Sequence, residues 1–509
     1  MLLPLLAVNS LLFILRLVYV VVSPFDLSPE EAQYWDWSRH LDLSYYSKPP
    51  LVAYLNWLST HLLGNTELAV RIWPATFAFL SSVLAYFAAK EVFKSERTAF
   101  WIAVLPNLFV GYDALAFLFT TDVPLFFFWG LSFYLLLKAV EKNDTRLWLA
   151  LGLSGGLGFL SKYSMVLFFP LGVLYLLLTK PRLLLTKGPY LAAAVAFLFT
   201  LPVLYWNYEH GWVSFKHVLN LSGVQRETNF PDWASFFNFL LAQVFLLSVV
   251  FFPFLLKGWL KNLLPKKEGF SLTLFSLPGY AVFQLLALKK FVYGNWAAFA
   301  YFTGGILALK EFLDFSERRK ALSGILAAAA LFLVAVSLYP PLLDRLGLGG
   351  LLPPKNDPTK FLVGWSDLGR EVSEIYDPRR DFVFSNLYQI AAELAFYTEG
   401  NPRTFVFNHY QRMNQYTLWQ VKDFDLFERW LAGEEVPPEE VFNWEPLKGK
   451  NGVFVTPLPS VPKPIADSFE RVVFKRKFVV RWRGYPVRTL YIFYLENFKG
   501  NYEPKITGF

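Results

Sequence analysis

Apolar runs long enough to cross a bilayer recur along the first two thirds of this chain. A transmembrane helix needs about 20 consecutive apolar residues, and a helix satisfies its own backbone polar groups in lipid. Because 55% of all residues are hydrophobic, a soluble fold would expose too much apolar surface. The sequence therefore predicts a polytopic α-helical membrane protein with about 11 or more spans. The candidate spans are 2–22, 68–89, 98–112, 123–138, 147–161, 163–178, 189–206, 236–256, 271–288, 293–309 and 321–339.

Basic residues are distributed unevenly between these runs. If Met1 is cytoplasmic, the inside loops contain 17 Lys and Arg residues and the outside loops before residue 340 contain seven. Such an excess is typical of cytoplasmic loops, so the net charge of +8 indicates orientation and not nucleic acid binding. Eleven spans then place everything after Tyr339 outside. The seven outside residues are Arg39, Lys48, Lys162, Lys216, Arg226, Lys289 and Lys290.

The chain changes character after the last apolar run. The stretch "YPPLLDRLGLGGLLPPKNDP" is rich in Pro and Gly and marks a boundary. Beyond it, short β-rich runs ("DFVFS", "RTFVFN", "GVFVTP", "TLYIFYLE") alternate with the helical pattern "LYQIAAELAFY". We expect a transmembrane catalytic domain over 1–345 and a periplasmic α/β domain over 355–509.

The segment 25–64, between the first two spans, contains two helix starts. Ser28, Pro29 and Glu31 have the spacing of an N-cap, a first-turn proline and the third residue of a capping box. Pro49 and Pro50 open a second helix. Both helices carry aromatic and aliphatic residues on one face, so the segment predicts two juxtamembrane helices in the membrane interface.

Acidic and basic residues near these helices have structural and functional interpretations. Glu31 suits a capping role, which explains Glu30 less well because the second helical position has no obligatory capping partner. Lys48 fits an interfacial lysine that snorkels. Asp122, in "FTTDVPL" at the outer end of a predicted span, is either solvated or functional, since acidic residues at membrane depth are costly.

These motifs resemble those of the GT-C superfamily, polytopic glycosyltransferases that use polyprenyl-phosphate sugars. The branches concerned are the lipid A aminoarabinose transferases, the lipopolysaccharide galacturonosyltransferases and the protein O-mannosyltransferases. The resemblance covers about 1–340 and is most specific over 28–75. The matching positions are Glu30, Glu31, Tyr34, Tyr45, Lys48 with Pro49, Arg71, Asp122, Lys162 and the stretch "KKFVYGNWAAFAY".

The resemblance implies a GT-C fold with an outward-facing active site. Glu30 would be the catalytic base, with Glu31 second, and Asp122 would stabilise the transition state. Donor phosphate contacts would come from Lys48, Tyr45, Arg71 and Lys162. Substrate contacts would come from Tyr34, His210, His217, Lys289 and Lys290.

A metal ion in this site stays an open question at the level of the sequence. Ser47 stands where the aminoarabinose transferases carry a glutamate proposed to bind metal. His210 and His217 together with Glu30 are the remaining candidates for a divalent ion. The chain contains no cysteine, which excludes thiolate ligands and disulfides.

The function we expect is inverting transfer of a sugar from a polyprenyl-phosphate donor to lipid A or lipopolysaccharide. The sugar would be of the aminoarabinose or galacturonic acid type, and the active site would face the periplasm at the bacterial inner membrane. Protein O-mannosylation is an alternative. A lipid-linked sugar transporter or flippase is another, although the sequence shows neither an internal repeat nor signs of the broken helices typical of transporters. A purely structural membrane subunit would not need so many outside carboxylates and cations.

Overall fold

The computed structural model describes residues 1–222 and 230–508. Arg226, counted above among the outside basic residues, lies outside the described residues. The first two thirds of the chain are helical, with short 3-10 turns between helices. The helices are α1 (Leu2–Val22), α2 (Pro29–Ser38), α3 (Leu51–Leu63), α4 (Glu67–Phe93), α5 (Glu96–Val104), α6 (Val110–Leu115), α7 (Asp122–Lys142), α8 (Thr145–Ser161), α9 (Phe168–Thr179), α10 (Lys187–Glu209), α11 (Val213–Ser222), α12 (Trp233–Leu246), α13 (Phe252–Lys261), α14 (Phe270–Leu274), α15 (Leu277–Leu286), α16 (Tyr301–Arg318), α17 (Lys320–Leu338) and α18 (Pro341–Arg345).

Within the described ranges, five helices are long and apolar enough to cross a membrane: α1, α4, α7, α10 and α17. A membrane protein is thus confirmed, whereas eleven spans stay a prediction. Three predicted spans are interrupted, with breaks between α5 and α6, α12 and α13, and α14 and α15. Pro106, Pro253 and Pro278 stand in the first turn of the element that follows each helix end, where proline is tolerated.

These interruptions correct one sequence argument. The expectation of unbroken helices, used above against a transporter, is wrong for this chain. The choice between an enzyme and a transporter therefore depends on the chemistry of the site.

Two glycines allow close helix packing around the site. A Cβ on Gly130 of α7 would lie 2.4 Å from the ring of Phe302 on α16. A Cβ on Gly152 of α8 would lie 2.5 Å from the Ala192 carbonyl oxygen on α10. Glycine at these two positions lets α7 and α8 approach their neighbours more closely than any other residue would.

The C-terminal part contains a mixed five-stranded sheet in the order β2-β1-β4-β6-β5. Strand β1 pairs in parallel with β2 and β4, while β6 is antiparallel to β4 and β5. The predicted α/β character is confirmed. The elements are α19 (Trp365–Ser373), β1 (Asp381–Ser385), α20 (Tyr388–Tyr397), β2 (Thr404–Val406), β3 (His409–Gln411), α21 (Gln415–Leu418), α22 (Phe424–Leu431), α23 (Pro438–Val441), β4 (Asn451–Thr456), α24 (Lys463–Asp467), β5 (Phe469–Trp482), β6 (Tyr485–Phe498) and β7 (Lys505–Ile506).

The C-terminal domain packs on α2, one of the predicted juxtamembrane helices. The Trp35 ring of α2 lies edge-on to the Phe396 ring of α20, with centroids 4.9 Å apart. The Leu27 backbone N–H donates to the Tyr397 hydroxyl at 2.7 Å. Helix α2 is therefore held between the membrane helices and the sheet domain, which fixes the residues at its start.

Candidate active site

The capping box predicted at the start of α2 is present. The Ser28 hydroxyl accepts from the Glu31 backbone N–H at 3.3 Å, and Glu31 Oε2 accepts from the Ser28 backbone N–H at 2.8 Å. Glu31 Oε1 also accepts from the Phe119 backbone N–H at 2.9 Å. The carboxylate of Glu31 is fully buried, so it is turned towards the protein and away from open space.

Arg71 of α4 is the ion-pair partner of Glu31. Its Nε and one terminal nitrogen donate to the two carboxylate oxygens at 3.0 and 2.9 Å. The remaining N–H groups donate to the carbonyl oxygens of Phe25 and Asp26 at 3.0 and 2.7 Å. Arg71 is fully buried, and these hydrogen bonds use all three nitrogens of its planar guanidinium group. The structure thus places Arg71 where it holds α2 against α4 and not in a cavity wall.

A cavity of about 870 Å³ opens beside these residues. Six of the predicted site residues line it: Glu30, Tyr34, Lys48, Asp122, Lys162 and His217. Its other walls are largely apolar and include Ala85, Phe109, Phe126, Phe302 and Ile306. Lys48 interacts electrostatically with Lys162, Glu30 and Asp122, so these charged groups of the lining lie close to one another.

Asp122 is held by residues from two other segments. Its Oδ1 accepts from Lys162 Nζ at 2.7 Å, and its Oδ2 accepts from Asn295 Nδ2 at 2.8 Å. Both partners line the cavity. Asp122 also lies at the N-terminus of α7, where the helix dipole favours a negative charge. The carboxylate is therefore fixed in position, and among the described residues Lys162 has no second acceptor.

Lys48 lies in the turn between α2 and α3. The Lys48 carbonyl oxygen accepts from the Tyr45 backbone N–H at 3.1 Å, and Pro50 precedes the first residue of α3. No acceptor in the described ranges contacts Lys48 Nζ. Burial lowers the pKa of Lys48 to about 8, and the Lys162 ammonium adds to that effect. An anion bound here could accept hydrogen bonds from the three N–H groups of the Lys48 ammonium.

Tyr45 stabilises the turn that carries Lys48 and does not line the cavity. Its ring stacks on Trp37 with centroids 4.5 Å apart. Its hydroxyl lies 3.1 and 3.0 Å from the carbonyl oxygens of Trp37 and His40. The donor-phosphate contact expected of Tyr45 is thus replaced by a contact that fixes the turn carrying Lys48.

Glu30 differs from Glu31 in its exposure and in its contacts. Its side chain is exposed and lines the cavity, and no donor in the described ranges contacts its carboxylate. Tyr34, one helical turn further along α2, is buried and lines the same wall. Glu30 is therefore the carboxylate able to approach a bound substrate.

The two histidines have different surroundings. His217 of α11 lines the cavity and is 3% exposed, and its Nδ1 has no hydrogen-bond partner. Burial lowers the pKa of His217 to about 3, assisted by Arg412 and then Lys48, so the ring is neutral. His210 stacks on Trp206 at 4.0 Å between centroids, with Nδ1 2.8 Å from the Trp206 carbonyl oxygen, outside the cavity lining.

Of the candidate metal ligands, Glu30 and His217 line the cavity and His210 does not. Over 1–222 and 230–508, no group of three His, Asp or Glu side chains converges closely enough to hold a metal ion. Glu30 and His217 share the cavity, but the structure adds no third protein ligand to them.

Lys289 and Lys290 lie beside the cavity and not in its lining. Lys289 is exposed. Lys290 donates to the Leu221 carbonyl oxygen and lies over the Trp296 ring, 5.7 Å from its centroid. Trp296 itself lines the cavity, so the Trp296 ring lies between Lys290 and the cavity.

Sequence reasoning missed three residues that line the cavity: Asn295, Tyr388 and Arg412. Asn295 lies inside the stretch quoted above for its resemblance, but nothing singled it out. Tyr388 and Arg412 belong to the C-terminal domain, where Arg412 donates to the Tyr388 hydroxyl at 3.3 Å. No local motif marks either residue.

Part of the chain that forms this site matches a known protein family. Residues 47–206 match the family described as dolichyl-phosphate-mannose-protein mannosyltransferase. That segment is similar to a domain of this family. The match includes Lys48, Asp122 and Lys162 of the cavity wall, and it confirms the resemblance to glycosyltransferases stated from the sequence.

Related proteins and a solved structure extend the likeness beyond this mannosyltransferase-family domain. The lipid A galacturonosyltransferase RgtD of Rhizobium johnstonii is 26% identical over 388 residues, which cover 75% of this chain and 80% of that protein. The undecaprenyl phosphate-alpha-4-amino-4-deoxy-L-arabinose arabinosyl transferase of Pectobacterium carotovorum is 30% identical over 226 residues, covering 41% of this chain and 40% of that protein. The crystal structure of ArnT from Cupriavidus metallidurans bound to undecaprenyl phosphate shares the fold, with a TM-score of 0.62, 15% identity and 97% of both chains covered.

Proposed function

We propose that this protein is an inverting glycosyltransferase that moves a sugar from a polyprenyl-phosphate donor to lipid A or lipopolysaccharide. One observation carries the proposal: Glu30 and Lys48, neither of which has a hydrogen-bond or ion-pair partner over 1–222 and 230–508, line one cavity whose other walls are largely apolar. An apolar groove suits the polyprenyl tail. The names of the related galacturonosyltransferase and arabinosyl transferases support the donor and acceptor classes.

The reaction divides between these groups. Glu30 accepts the proton of an acceptor hydroxyl, whose oxygen attacks the anomeric carbon from the face opposite the phosphate. The bond between that carbon and the phosphate oxygen breaks, and polyprenyl phosphate leaves with the bonding electrons. Direct displacement inverts the anomeric configuration. Lys48 and Lys162 stabilise the charge that develops on the leaving phosphate.

Asp122 stabilises the transition state in this mechanism. Its ion pair with Lys162 and its hydrogen bond from Asn295 hold its carboxylate in position. A carboxylate beside the anomeric centre stabilises the positive charge of an oxocarbenium-like transition state. Arg71, Glu31 and Tyr45 act as positioning residues that hold α2, α4 and the Lys48 turn.

The proposed function is tested with purified protein in detergent. We expect transfer of aminoarabinose or galacturonic acid from its undecaprenyl-phosphate donor to lipid A, detected by mass spectrometry as the mass of one sugar. Transfer to a serine or threonine peptide instead would favour the protein O-mannosyltransferase alternative. Movement of intact donor across vesicles without transfer would favour a transporter, for which the interrupted helices are the supporting observation.

We expect use of the donor to fall as the pH rises above about 8. The pKa of Lys48 is lowered to about 8, so the side chain is charged below that pH and neutral above it. The profile of kcat/KM against pH reports groups of the free enzyme. Lys48→Arg keeps the charge at all these pH values, so its falling limb should move to higher pH, while Lys48→Ala should lower kcat/KM by roughly 10- to 100-fold at pH 7. An unchanged limb in Lys48→Arg contradicts the assignment.

We expect the active site and the C-terminal domain to face the periplasm. The basic residues of the predicted inside loops motivate this orientation. A reporter that is active only in the periplasm, fused after Phe509, should be active, and the same reporter fused after Lys142 should be inactive. The reverse pattern contradicts the orientation, and activity at both positions contradicts the span assignment between them.

A further inference from the structure

The C-terminal domain contributes a cation to the cavity that the mechanism above does not use. Arg412 follows β3 and lines the cavity, with its side chain exposed to that space. Its backbone is fixed, because the Arg412 carbonyl oxygen accepts from Asn408 Nδ2 at 3.0 Å. Its guanidinium donates to the Tyr388 hydroxyl at 3.3 Å. No carboxylate among the described residues pairs with Arg412, so most of its N–H groups are available.

A second polar group in the cavity lining has no hydrogen-bond partner within the part of the chain that the structure describes. Nδ1 of His217 is buried and unpaired, in a side chain that is 3% exposed. An unpaired buried polar atom costs free energy unless a ligand or water satisfies it. Arg412 lowers the pKa of His217 more strongly than Lys48 does, after burial as the main cause. For Lys48 the order differs, since burial, Lys162, Glu30 and Asp122 all act on its pKa more strongly than Arg412.

Arg412 and His217 thus line the same cavity as Lys48 and Lys162 but come from other segments of the chain. The carboxylates that line the cavity are Glu30 and Asp122, and both oxygens of Asp122 already have donors. A guanidinium beside a neutral imidazole and a phenol favours an anion with several acceptor oxygens.

We propose that Arg412, with His217, recognises an anionic group of the substrate other than the donor phosphate, and so determines specificity. The group is a carboxylate or a phosphate monoester. It belongs either to the sugar, as in a uronic acid, or to the acceptor, as in a phosphorylated lipid A. This inference rests on the proposed function and extends it, since it names the charge of the substrate and the residue that selects it.

The test compares substrates that differ only in this charge. Wild type, Arg412→Ala and Arg412→Lys are assayed with undecaprenyl-phosphate galacturonic acid and with its galactose counterpart, which lacks the carboxylate. Each donor is paired with bisphosphorylated lipid A and with a dephosphorylated form. Arg379→Ala is the matched control, because Arg379 is an exposed arginine of the same domain outside the cavity.

We expect Arg412→Ala to raise KM roughly 10- to 100-fold for the charged member of one pair and about 2-fold or less for its neutral counterpart. Arg412→Lys should be intermediate, because it keeps the charge and loses the planar fork. A selective loss in the donor pair assigns the anion to the sugar, and one in the acceptor pair assigns it to the acceptor. The control should match wild type.

Three outcomes overturn the proposal. The first is an equal loss for charged and neutral members of both pairs, and the second is no loss. The third is weakened binding of undecaprenyl phosphate alone, as strong as in Lys48→Ala, which would place Arg412 at the donor phosphate. If wild type transfers neither sugar, the proposed function fails, and the same comparison made by binding of the four lipids to wild type and Arg412→Ala still decides the role of Arg412.

Discussion

Glu30→Gln is expected to lower turnover about 10²-fold or more while leaving donor binding unchanged. The amide has the shape of the carboxylate but cannot accept the proton of the acceptor hydroxyl. Glu30 has no partner among the described residues, so its replacement leaves no buried group unpaired. The measurement is single-turnover transfer from a polyprenyl-phosphate sugar, with binding of undecaprenyl phosphate as the control for an intact site.

Two other results would change this assignment in different ways. Normal transfer by Glu30→Gln together with inactive but folded Glu31→Gln would reverse the two roles. Normal transfer by both variants would mean that the acceptor needs no base, as for an acceptor that is already an anion. Either result would leave the donor phosphate site at Lys48 untouched.

Glu31→Gln is expected to destabilise the protein by about 3–5 kcal/mol. The change removes the charge that balances the fully buried Arg71, and an unpaired buried charge carries a large desolvation cost. A capping role alone, which is the role that the sequence suggested for Glu31, predicts about 1 kcal/mol or less. The structure raises this value because the carboxylate also accepts from Arg71 and Phe119. Thermal unfolding in detergent measures the difference.

Two variants make this stability prediction specific. Glu96→Gln removes a carboxylate from an exposed ion pair with Lys90 and should leave thermal unfolding close to that of wild type, because solvent screens an exposed pair. Glu31→Gln combined with Arg71→Gln should recover part of the loss, because neither buried charge is then left alone. A loss in Glu31→Gln no larger than in Glu96→Gln contradicts a structural ion pair.

The local parts of the site could be predicted from the sequence because their partners lie within a few residues. Ser28 and Glu31 are three residues apart, and the spacing alone predicts the capping box that the structure contains. In the same way, the short β-rich runs "DFVFS" and "GVFVTP" predicted β1 and β4. Helix breaks were missed because the apolar runs continue through Pro106 and Pro253 without a change in hydropathy.

The pairings across the fold could not be predicted in this way. Arg71 and Glu31 are 40 residues apart, as are Lys162 and Asp122. Each residue attracted notice from the sequence, but which cation meets which carboxylate depends on helix packing. Arg412 had no signal at all, since its relevance arises from the contact between the C-terminal domain and α2.

In the first turn of α2, the adjacent and chemically identical side chains of Glu30 and Glu31 have opposite surroundings. Successive helical residues are rotated by about 100° around the axis, so the serine that caps the helix decides which glutamate points inward to Arg71 and which one reaches the cavity. A shift of one residue in the register of the helix start would exchange the two. The identity of the free carboxylate is thus a property of chain register and not of amino-acid type.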